Sequence, residues 1–130
     1  MNVAQINLLC ADPGASRRFY EALDLTFRSI SPPGRDEAAY LSDSGGTTLA
    51  LHSLGFARWW DPSTPGLAPG AAVLDFDVPK GRTVDEVLHH LATVGGTVAK
   101  KPEDMEFGER YAIVTDPDGH RLGLRQPIRT

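Results

Sequence analysis

FGERYAIVTDPDGHRLGL, residues 107 to 124, decides how the chain is organised, because a fainter copy, AAYLSDSGGTTLAL, stands at residues 38 to 51. One constant offset of 73 superposes Asp43 on Asp116, Gly46 on Gly119, Leu49 on Leu122 and Leu51 on Leu124. A fixed period of this kind marks a duplicated unit and shows which positions of the two copies are equivalent. In each copy two apolar-alternating stretches flank a turn, DSGG in the first and DPDG in the second.

Working outward, residues 3 to 10 alternate as a strand does, and Asp12 with Pro13 then opens a helix as N-cap and first helical residue. Ala15, Phe19, Ala22, Tyr20 and Leu23 recur at helical spacing, leaving Arg17, Arg18 and Glu21 on the wet side. Strands are expected near 25–30, 38–42 and 47–53. The second half repeats the order. AVLDFDV at 72–78 reads as a strand, and TVDE at 83–86 as a capping box before the apolar stripe Val84, Val87, Leu88 and Leu91. Gly95 and Gly96 end that helix, and TVAKK, RYAIVT and RLGLR supply three more strands. Each half therefore reads βαβββ. Between them LGFARWWDPSTPGLAPG, residues 54–70, is rich in Pro and Gly yet carries Phe56, Trp59 and Trp60, which need a dry place.

A chain of 130 residues with 41% hydrophobic and 23% charged content is expected to form one domain: a first module over about 1–53, the aromatic linker 54–70 and a second module over about 71–126. The net charge of −4 and the lack of a Lys/Arg run argue against a nucleic-acid partner. Neither a basic leader with a long apolar core nor a run of 18 apolar residues is present, so a cytoplasmic protein with no membrane partner is expected. The single cysteine, Cys10, lies in the apolar run INLLC and reads as a buried thiol.

Strand alternation assigns one face to Ile6, Leu8, Cys10, Leu49, Leu51, Leu74, Phe76, Val78, Leu122 and Leu124, which packs on the helices. The other face carries Gln5, Asn7, Leu9, Thr48, Ala50, His52, Val73, Asp75, Asp77, Arg121, Gly123 and Arg125. Such a mixed face is either simply wetted, as antiparallel sheets often are, or the wall of a ligand cavity.

The start ADPGASRRFYEALDL, the end FGERYAIVTDPDGHRLGL and the paired βαβββ units together resemble the vicinal oxygen chelate superfamily, which includes glyoxalase I, extradiol dioxygenases, fosfomycin-resistance enzymes and bleomycin-resistance proteins. The resemblance implies an α+β fold of two βαβββ modules whose curved mixed sheets surround a groove, with helices on the outer face. In the family's enzymes four residues on the first and last strands hold a divalent metal. Carried onto this sequence, those positions are Gln5, Ala50, Val73 and Gly123, and only Gln5 has a donor atom, where imidazole or carboxylate is wanted. No metal and no other cofactor is therefore expected, and no catalytic residue is assigned. His89 and His90 lie off the apolar stripe of their helix and His120 lies in a turn, which are surface readings.

Phe107, Gly108 and Arg110 resemble the aromatic-Gly-x-Arg segment of the bleomycin-resistance branch, whose members sequester a drug without chemistry. The first expectation is thus a homodimeric binding protein for an aromatic small molecule, with Asn7, Tyr40, His52, Trp59, Trp60, Asp75, Phe107 and Arg110 as ligand-binding residues. A second reading is an enzyme with a metal shifted to His52, Asp75 and Asp77, or with Asp75 as general base. A third is an interaction module in which the aromatic linker is a dimer arm.

Overall fold

The computed structural model of the protein describes residues 1–30, 39–43 and 46–128. The chain divides into two compact units, Met1–Ala68 and Pro69–Thr130. Each follows the expected order of strand, helix and three strands, so the fold class is α+β with two mixed four-stranded sheets.

In the first unit β1 (Gln5–Cys10) leads into α1 (Pro13–Glu21), followed by β2 (Arg28–Ser29), β3 (Ala39–Ser42) and β4 (Thr48–Ser53). The sheet order is β1-β4-β3-β2, with β1 parallel to β4 and the remaining pairs antiparallel. Asp12 caps α1 as its sequence position predicts, its Oδ1 accepting from the Ala15 amide at 3.2 Å, with Pro13 in the first turn. Phe19 and Tyr20 are fully buried, and their rings meet edge to face at 5.1 Å. With Leu8, Leu49, Leu51 and the buried Cys10 they form the core on this face of the sheet. Truncating Phe19 to alanine here would cost roughly 3–5 kcal/mol, the usual range for a fully buried ring.

The stretch read as a linker opens with a helix, α2 (Leu54–Trp60). Ser53 caps it, its Oγ accepting from the Phe56 amide at 3.1 Å. Buried Phe56 and Ala57 give it an inner side. Gly55, Pro62 and Pro65 mask this helix in the sequence, whereas Ser53 followed by Phe56 and Trp60 at i, i+4 is its signal.

In the second unit β5 (Val73–Asp77) is followed by α3 (Val84–Thr93), β6 (Thr97–Asp104), β7 (Glu109–Thr115) and β8 (Arg121–Pro127), in the order β5-β8-β7-β6. Thr83 Oγ1 accepts from the Glu86 amide at 3.1 Å, and the stripe Val84, Val87, Leu88 and Leu91 is buried. Helix α3 packs on β6, β7 and β8, whose inward residues include Ala112, Val114, Leu122 and Leu124. Gly95, at φ 103°, turns the chain out of α3 in the left-handed conformation that glycine adopts without strain.

Some strand boundaries differ from the sequence expectation. The strand expected over 25–30 is confined to Arg28–Ser29, and residues 38, 44 and 45 of the expected strand and turn lie outside the described residues. Strand β6 runs on past Lys101 to Asp104, crossing Pro102 with two register shifts. Proline is tolerated on edge strands and at bulges, and β6 is an edge strand whose register shifts between Lys100 and Glu103.

The offset of 73 carries β4 onto β8, and the two turn glycines agree, Gly46 at φ 95° and Gly119 at φ 93°. On the preceding strand it falls to 72, since Ser42 pairs with Leu49 whereas Val114 pairs with Leu122. Consequently Tyr111 takes the place in its sheet that Ala39 has in the first, and Asp75, opposite Gly123, matches Asn7, opposite Ala50.

Candidate functional site

Residues paired across a ladder share a face, so the register sorts the candidates. In the first unit Asn7 lies beside Ala50 on the face away from α1, and His52 stands on that face two residues on along β4. The amide oxygen of Asn7 receives Gln5 Nε2 at 2.7 Å and lies 2.8 Å from His52 Nε2. Helix α2 leaves β4 directly and folds its apolar side onto the imidazole. Phe56 stacks parallel to it at 5.2 Å, and Trp60 meets it edge-on at 5.5 Å. Trp59 follows, tilted against Phe56 at 5.7 Å. His52 is thereby buried to 3% exposure, while Trp60 and Trp59 remain 44% and 55% exposed. Burial holds the imidazole below its ordinary pKa of 6.5, because a dry cation lacks solvation. Its Nδ1 is buried and has no hydrogen-bond partner among the described residues.

Four of the residues expected to bind ligand, Asn7, His52, Trp59 and Trp60, are thus brought together, with Phe56 between them as the member that sequence reasoning did not select. Tyr40 parts from them. It pairs with Leu51 on the α1 face, where the Arg17 guanidinium lies 4.8 Å over its ring. Arg17 is correspondingly less wet than helix periodicity suggests.

In the second unit Asp75 and Phe107 are joined by Tyr111. The Tyr111 hydroxyl donates to Asp75 Oδ1 at 2.6 Å, and Phe107, 63% exposed, meets the Tyr111 ring edge-on at 5.9 Å. Burial, and then the bond to the Asp75 carboxylate and its charge, push the phenol up to about 12. The phenol passes over Gly123. A Cβ at that position would overlap Asp75 Oδ1 and Tyr111 Oη and lie 2.7 Å from Tyr111 Cζ. A glycine in the interior of a strand is the sequence signal for this close approach. Beside it Arg125 Nε donates to Asp77 Oδ1 at 2.7 Å.

Arg110 sits one residue from Tyr111 and on the opposite face. Its guanidinium grips Asp85 of α3 at 2.8 and 3.1 Å and Asp104 of β6 at 2.9 Å. These carboxylates raise its pKa further, and Arg110 in turn lowers that of Asp85. It lines an open depression of about 520 Å³ with Asp104, Gln126 and residues 81–83.

The residues at the four metal positions do not fit a metal ion. Gln5 is hydrogen-bonded to Asn7, Ala50 is fully buried without a donor, Val73 is exposed without one, and the space a side chain at 123 would use holds the Tyr111–Asp75 pair. Among the described residues Asp116, Asp118 and His120 bring three potential donors within 4.8 Å. Asp116 Oδ1 there accepts the amides of Asp118 and His120, both at 2.9 Å, and so closes the DPDGH turn. His89 and His90 are exposed.

Paired βαβββ units, each a mixed sheet with its core on the side of one helix, define the class of protein. The sequence matches the Glyoxalase/Bleomycin resistance protein/Dioxygenase superfamily over residues 2–124, and the chain belongs to that superfamily. Among solved structures it is similar to a glyoxalase-related enzyme from Fulvimarina pelagi, at 22% identity over 97% of this chain and 88% of that one, with a TM-score of 0.80. It is also similar to TioX from Micromonospora sp. ML1, at 18% identity over 98% and 100% of the two chains, with a TM-score of 0.67. At these identities the likeness is one of fold. An uncharacterized protein of Mycobacterium tuberculosis is 41% identical over 46 residues, which are 35% of this chain and 27% of that protein. No helix among the described residues is long and apolar enough to cross a membrane.

Proposed function

We propose that the protein binds an aromatic small molecule, such as a natural product or antibiotic, on the Asn7–His52 face of its first unit and sequesters it without metal chemistry. One observation carries this reading: a hydrogen-bonded polar pair lies against an aromatic wall whose outer members, Trp59 and Trp60, are half exposed. Large rigid rings provide contact area at small entropic cost, and a few fixed polar groups orient what they hold. The reading includes a homodimer in the cytoplasm. Titrating the tryptophan fluorescence with bleomycin-type, mitomycin-type and enediyne-type compounds tests it. Saturable quenching and protection of growth on expression are expected, and neither effect with any compound would count against it.

The Tyr111–Asp75 bond favours one alternative, an enzyme of the same superfamily in which this pair moves a proton on the second unit's sheet. Turnover of a substrate that Asp75→Asn abolishes, with ligand binding at the first unit intact, would favour the alternative over sequestration.

A further inference from the structure

We infer that Nδ1 of His52 is the recognition atom of the first unit and accepts a hydrogen bond from the ligand, so that this face selects flat aromatics bearing a neutral N–H or O–H donor. The inference rests on the aromatic-binding reading above and names the chemistry of its ligand.

It follows from the direction of the hydrogen bonds. The Asn7 amide oxygen is an acceptor and already receives Gln5 Nε2 at 2.7 Å. The same oxygen lies 2.8 Å from His52 Nε2, so that nitrogen carries the proton and donates. A neutral imidazole protonated at Nε2 presents a lone pair at Nδ1. That atom is buried and unpaired in a residue only 3% exposed. A buried acceptor left unpaired is unfavourable, and a ligand donor removes the penalty where a donor-free ligand cannot.

The walls add shape. Phe56 is buried and parallel to the imidazole within 5°, so it holds the ring in place. Trp60, 44% exposed and edge-on, is the outer of the two rings against the imidazole, and the one a flat ligand would meet from solvent. Asn7, Phe56 and Trp60 are uncharged, which suits a neutral donor better than an ammonium group.

The test uses the ¹⁵N-labelled full chain and three bicyclic probes of similar size: indole, which donates, benzothiophene, which does neither, and quinoline, which accepts. A long-range ¹H–¹⁵N spectrum of the free protein should show His52 protonated at Nε2. Indole should shift its Nδ1 resonance and bind about tenfold tighter than benzothiophene, a factor equivalent to about 1.4 kcal/mol, with quinoline weakest. In His52→Phe the preference for indole should vanish. Should that variant not fold, the wild-type comparison still decides. An Nδ1–H tautomer in the free protein, or quinoline as the tightest probe, overturns the inference. Equal binding of all three overturns it and leaves the aromatic-binding reading standing, whereas no binding of any removes both.

Discussion

Alanine at position 123 should destabilise the second unit although it adds a single methyl group. Gly123 lies on β8, paired with β5 on one side and β7 on the other, so its backbone has nowhere to retreat. The added Cβ would overlap Asp75 Oδ1 and Tyr111 Oη, and both must move. Both are the far ends of side chains that can turn away, so the overlap costs less than core overpacking, about 0.5–1.5 kcal/mol for the forced rotamers, and the displaced hydrogen bond about 1 kcal/mol more. Loss of glycine's freedom in the unfolded chain returns about 0.4–1 kcal/mol. The net expectation is about 0.5–2 kcal/mol, read from urea denaturation at constant m. A Tyr111→Ala background leaves room for the methyl, so there the cost of Gly123→Ala should fall by more than half. Alkaline titration gives a second readout. The folded phenol sits at about 12 against an ordinary 10.0, so the folded state holds its proton more tightly. The stability this contributes is full below pH 10 and is lost as pH rises toward 12. Gly123→Ala should bring the Tyr111 titration down toward its ordinary value. A loss below about 0.5 kcal/mol, the scale of a neutral surface change, with the titration unmoved would refute the reasoning.

Three further outcomes are expected. Because burial lowers the pKa of His52 from 6.5, the unfolded chain takes up a proton that the folded chain resists. Stability should therefore fall as pH drops below about 6.5, and His52→Phe should flatten that slope in urea titrations at neutral and mildly acidic pH. Arg110→Gln removes pairs whose side chains are 36% to 59% exposed, so it should cost no more than about 1 kcal/mol, less at high salt, and leave aromatic binding at the first unit unchanged. Ser53→Ala removes the cap of α2 and should cost about 1 kcal/mol, loosen Trp60 from His52, and shift tryptophan emission toward that of exposed indole.

The duplicated βαβββ order was legible because its signals are local: alternation, the Asp12 and Thr83 caps, the Gly95 stop and the repeated turn. The one-residue change of offset between β3 and β7 was not, because register is fixed by pairing rather than by motif. That single residue puts Tyr111 over Gly123 and leaves small Ala39 in the corresponding place. Alternation alone brought Asn7 and His52 to one face, but their hydrogen bond depends on β1 lying beside β4, which is a long-range contact. Tyr40 and Arg110 belong to the opposite faces of their sheets. Each is recognised as such once its ladder partner is known, Leu51 for Tyr40 and Gln126 for Arg110. Helix α2 was hidden by glycine and proline, although the Ser53 cap and the spacing of Phe56 and Trp60 were in plain view.

The claim that the first unit holds the ligand is tested most directly by amide and side-chain shift mapping of the ¹⁵N-labelled protein with a compound that quenches its tryptophan fluorescence. Binding at this face should move Asn7, His52, Phe56, Trp59 and Trp60 together on one saturation curve. Shifts confined to the surroundings of Arg110 or to the Tyr111–Asp75 pair, with His52 and both indoles unmoved, would contradict it.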